Sequence, residues 1–102
     1  MTLRDVLDAA AAEAGITAAP SGEPDNGTIW AAGGRPFATL DVTGAIASFR
    51  LDTELAAAAR RTPDVSASSS GPEWVEFRPS AWDEHAADRA AAWFLAAYRR
   101  AV

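Results

Sequence analysis

A chain of 102 residues forms one domain, 1–102, able to bury roughly two-thirds of its unfolded surface but too short for a second core. Its formal charge of −5 argues against a general affinity for nucleic-acid phosphates or anionic membranes. The absence of cysteine excludes disulfides, thiolate metal sites and a cysteine nucleophile. Every basic side chain is arginine, which with the abundance of alanine matches the codon bias of a GC-rich genome. The large side chains must carry the core: Leu3, Val6, Leu7, Ile29, Phe37, Leu40, Val42, Phe49, Leu51, Val75, Phe77, Trp82, Trp93 and Phe94 are the candidates. Met1 to Asp5 lacks the pattern of a signal peptide and no segment has the length of a membrane span, so the expectation is a soluble cytoplasmic protein.

Leu3, Val6, Leu7, Ala10, Ala11 and Ala14 recur at helical spacing, which predicts a helix over Thr2 to Ala14 capped by Thr2 and ended by Gly15. Ala18 to Gly27 is rich in turn-formers and reads as a loop. The period then changes to two. Strands are predicted over Thr28 to Ala32, Phe37 to Val42 and Ala45 to Leu51, joined by Gly33-Gly34-Arg35-Pro36 and Thr43-Gly44 as an antiparallel meander.

Asp52 caps a predicted helix running to Arg60 or Arg61, which Pro63 stops. Val65 to Ser68 is a possible short strand, Ser69 to Pro72 a loop, and Glu73 to Arg78 the last strand. Ser80 with Asp83 has capping-box spacing, and on the helix that follows Trp82, Ala86, Ala90, Trp93, Phe94, Ala97 and Ala101 share one face. The expected fold is α+β, an antiparallel sheet of four to five strands with helices packed on one face, in the order α-β-β-β-α-(β)-β-α.

Three stretches, Gly33-Gly34-Arg35-Pro36-Phe37-Ala38-Thr39-Leu40, Phe49-Arg50-Leu51-Asp52-Thr53-Glu54-Leu55-Ala56 and Glu73-Trp74-Val75-Glu76-Phe77, resemble the MmcQ/YjbR family. That family has a glycine turn before a "kxFAxL" strand, a "xxLKvdpe" strand-to-helix junction, a tryptophan-bearing strand and a terminal helix. The similarity covers about residues 28 to 101. A weaker similarity links the first strands to the N-terminal domain of TfoX-type proteins. The resemblance implies a curved antiparallel sheet and a DNA-binding label. Arg50 stands where lysine is usual, and Ser66 to Pro72 replaces a basic, histidine-bearing stretch often found there.

No stretch spells out a catalytic motif or a cofactor site, and a single histidine allows no His-His metal pair. His85, with Asp88 three residues on, is a weak candidate for acid–base chemistry, because such helical neighbours commonly interact for stability alone. Gly33-Gly34-Arg35 reads as a hairpin turn rather than an anion nest, and Ser68 to Ser70 lack a nucleophile elbow.

The sharper expectation concerns the sheet. If Ala38, Leu40 and Val42 point inward, alternation turns Thr39, Asp41, Ser48, Arg50, Trp74, Glu76 and Arg78 outward, and Trp30 opposes Ile29 and Ala31. Trp30, Arg50, Trp74 and Arg78 would then share an uncovered face suited to a planar ligand or a protein partner. The alternative is that the tryptophans are covered, with Arg50 and Arg78 paired to Asp41 and Glu76. The expected function is a small non-enzymatic binding domain, monomer or homodimer, with an unknown small molecule or protein as partner. DNA binding is the alternative, and an enzyme using His85 with Asp88 or Glu84 the third reading.

Overall fold

The computed structural model describes residues 2–16 and 27–102. The loop expected over Ala18 to Gly27 lies, except for Gly27, outside the described residues. Three helices and five strands follow in the order α1 (Leu3–Glu13), β1 (Thr28–Ala32), β2 (Arg35–Leu40), β3 (Ala47–Arg50), α2 (Thr53–Arg60), β4 (Val65–Ser68), β5 (Gly71–Phe77) and α3 (Glu84–Ala101). The strands form one open antiparallel sheet in the order β1-β2-β3-β5-β4, with the helices on one face. This is the expected α+β fold. No helix among the described residues is long and apolar enough to cross a membrane.

Local chemistry starts the helices. Thr2 caps α1 through a full capping box with Asp5, and the Asp52 carboxylate accepts the Leu55 amide at 2.8 Å to open α2. The Thr2 backbone and hydroxyl contacts hold the Asp5 carboxyl below its ordinary pKa. Arg4 of α1 donates to the buried Thr28 hydroxyl of β1, tying helix to sheet edge. Arg60, in the last turn of α2, donates to the Pro72 carbonyl at the start of β5.

Helix α3 carries the core. Phe94 meets Trp30 and Phe37 edge-on at 5.4 and 5.3 Å, while Trp93 packs on Phe49 and Phe77. Ala86, Ala90 and Ala97 are buried between them, and their small side chains let the helix backbone lie close to its neighbours. Of the core candidates, Val42 is exposed (63%), Ile29 is only half-buried, and Trp82 keeps 39% of its surface.

Each departure has a cause. β2 ends at Leu40, so Val42 belongs to a loop that the Asp41 side chain organises. The cap of α3 is Asp83, which accepts the Ala86 amide at 2.9 Å, not Ser80. Ser80 donates its amide and hydroxyl to Asp64 instead, leaving Trp82 outside the helix and off its wheel.

The Asp41 carboxylate accepts hydrogen bonds from the Ala45 and Ile46 amides, each at 2.9 Å, and from the Thr43 hydroxyl at 2.5 Å. Partial burial pushes its pKa up, but the Thr43 hydroxyl and the amides outweigh this and hold it below the ordinary value of 3.8. A depressed pKa stabilises the fold above the unfolded value and loses that contribution as pH falls through 3.8 toward the folded value. Asp41→Asn is expected to cost about 1 kcal/mol at neutral pH, less than the ~1.5–3 kcal/mol of buried charged hydrogen bonds because the site is partly solvated. In urea melts the gap between the two proteins should close in acid below that point; a gap that widens there contradicts the assignment.

Candidate functional site

A two-residue turn, Gly33-Gly34 with φ of +57° and +80°, pairs Ala32 with Arg35 and Ala31 with Pro36. A regular hairpin would continue by pairing Trp30 with Phe37. Instead Trp30 lies opposite Ala38, because Phe37 is an extra residue forming a bulge. Two things follow from that single residue. Phe37 and Ala38 are both buried, and every side chain of β1 is turned over relative to β2.

Trp30 therefore points into the core, 1% exposed, with its ring against Phe94. This corrects the expectation that it shares the outer face with Trp74. Ile29 takes the outer position instead, opposite Thr39.

Arg50 and Trp74 keep their expected places on the sheet. Arg50 and Trp74 are directly opposite each other on β3 and β5, both half-buried, on the face away from α3. One rung along, Ile29, Thr39, Ser48, Glu76 and Ser66 run across all five strands. Arg78 lies just past the end of β5 and is exposed. Among the described residues no further layer covers this face.

Arg50 is not paired with Asp41 or Glu76. Its Nε donates to Glu73 at 3.1 Å, and Arg100 from the end of α3 reaches the same carboxylate oxygen at 2.5 Å. Strict alternation sets Glu73 on the opposite side of β5 from Trp74, so nothing in strand parity announces this pair. Only one of the five guanidinium N–H groups of Arg50 is engaged by a side chain among the described residues. Its outer nitrogens therefore remain available beside the indole. A shallow hollow of about 150 Å³ lies here, lined by Arg50, Trp74, Glu73 and the turn Ser70-Gly71-Pro72.

His85 is exposed near the start of α3 and makes no hydrogen bond to Asp88. Asp88 lines a separate groove between α1 and α3 of about 220 Å³, to which His85 does not contribute. The two are not assembled into an acid–base pair. Among the described residues no cluster of three carboxylate, histidine or cysteine side chains could hold a metal ion. Comparison of the chain with protein-family models, with curated proteins and with solved structures finds no match.

Proposed function

We propose that this chain is a small non-enzymatic binding or interaction domain of the MmcQ/YjbR-like type, and that it engages a ligand or protein partner through the open sheet face around Trp74 and Arg50. The observation that carries this reading is the direct cross-strand pairing of Arg50 with Trp74 on the face opposite α3. A flat indole gives apolar contact area at low entropic cost, and the arginine beside it supplies directional charge-assisted hydrogen bonds. Glu73 fixes the arginine by its Nε, so little freedom is lost when a partner arrives. The element order and the tryptophan-bearing β5 support the family reading.

Nucleic acid is the weaker partner. The formal charge is −5, Glu73 sits against Arg50, and Glu76 lies one rung away on the same face. A cysteine-free composition fits a cytoplasmic protein.

The test is affinity capture with the native chain and an Arg50→Ala/Trp74→Ala variant as matched baits. Neither side chain belongs to the core, so the variant is expected to keep its thermal midpoint to within a few degrees. It should lose what the native chain retains. A folded variant that holds every species the native chain holds would remove the basis for the proposal.

A further inference from the structure

A second hollow lies where three elements meet. The start of α1 provides Leu3, the loop between β2 and β3 provides Gly44 and Ala45, and the segment after β5 provides Arg78, Pro79 and Trp82. They enclose a hollow of about 210 Å³. Its walls are mostly apolar, and Trp82 is the most exposed aromatic side chain of the described residues.

Arg78 is the one charged residue among the described residues that line it. Arg78 is exposed, and its guanidinium makes no hydrogen bond or ion pair among the described residues. This is notable because Asp64 and Glu76 line a larger hollow, about 420 Å³, on the other side of the same arginine. Asp64 is occupied elsewhere, accepting from the Ser80 amide and hydroxyl. Among the described residues no acidic side chain lines the smaller hollow.

Both flexible-looking walls are held in place. Asp64, a non-glycine residue at φ +70°, accepts the Arg78 amide at 2.9 Å through its carbonyl while its carboxylate grips Ser80. The backbone is thus clamped on either side of Pro79. Across the hollow, Asp41 fixes Ala45 by a direct hydrogen bond and Gly44 through its carbonyl. An apolar recess with one unpaired cation and pre-positioned walls is complementary to an anion with an apolar body. The volume falls below the ~300–1,000 Å³ of sites for drug-sized ligands, which limits the occupant to about one ring.

We propose that this hollow binds a small aromatic monocarboxylate, its ring against Trp82 and Pro79 and its carboxylate on the fork of Arg78. The guanidinium supplies two parallel N–H donors to the anion, and the indole supplies the aromatic contact.

The test is a titration of the full chain with benzoate, followed by amide and indole NMR shifts, with neutral benzamide as the comparison. Benzoate is expected to shift the Trp82 indole and the Leu3, Gly44 and Ala45 amides and to saturate in the millimolar range. Benzamide should bind about tenfold more weakly, and Arg78→Gln should bring benzoate down by about the same factor, since one charge-assisted contact is lost in each case. The Arg78→Gln protein should keep its thermal midpoint, because that side chain makes no hydrogen bond or ion pair among the described residues. Trp74→Ala should bind benzoate unchanged, which separates this site from the sheet face. Shifts confined to other regions, no saturable shifts, or equal benzoate affinity in Arg78→Gln would overturn the proposal.

Discussion

Phe94→Ala lowers the stability of this domain by about 3–5 kcal/mol, the range for truncating a fully buried phenylalanine. Phe94 is wholly buried and sits between Trp30 of β1 and Phe37 at the β2 bulge, so one truncation removes an aromatic contact of α3 with each of two strands. The neighbours cannot close the space easily, since their positions are set by the sheet. Domains of this size have about 5–15 kcal/mol in total, so the loss approaches the whole of a marginal fold. The thermal midpoint is expected to drop by on the order of 15–30 °C. A drop of only a few degrees would mean that Phe94 is not the pivot between helix and sheet.

Gly27→Ala is expected to cost about 2–4 kcal/mol, from left-handed backbone strain together with overpacking. Gly27 has φ +79°, and a Cβ there would lie 2.1 Å from the Leu40 carbonyl oxygen. The obstacle is backbone, so no rotamer change relieves it. Gly15→Ala is the matched control: its φ is +70° but nothing lies within 4 Å of an added Cβ. That variant should lose only the conformational part, about 1–2 kcal/mol. Equal midpoints for the two variants in urea melts would contradict the close approach of Gly27 to β2.

What the sequence conveyed well was chemistry acting within a few residues. Thr2 and Asp52 cap their helices through the residue three positions on, and each cap was readable as a local pattern. Along β3 and β5, simple alternation placed Phe49, Val75 and Phe77 inward and Arg50 and Trp74 outward, because those strands pair without interruption. β1 departs from simple alternation for one physical reason. The bulge at Phe37 exists because both Phe37 and Ala38 find room under α3, a tertiary fact that no two-residue period contains, and it reverses Trp30.

The start of α3 failed in a similar way. Ser80 and Asp83 are both good caps, and Asp64, sixteen residues before Ser80, removes Ser80 from the competition. Hence Trp82, expected in the core, became part of a surface hollow. The bond from Arg50 to Glu73 was equally hidden, since alternation assigns the two to opposite faces.

The central claim is that the two tryptophans of the sheet differ in kind, Trp30 belonging to the core and Trp74 to a sheet face that no described residue covers. A soluble paramagnetic relaxation agent added to the dilute, free protein tests this through the indole proton signals. The ring protons of Trp74 should broaden strongly and those of Trp30 should not. Protection of Trp74 to the same degree as Trp30 would show that the face is covered and would contradict the account.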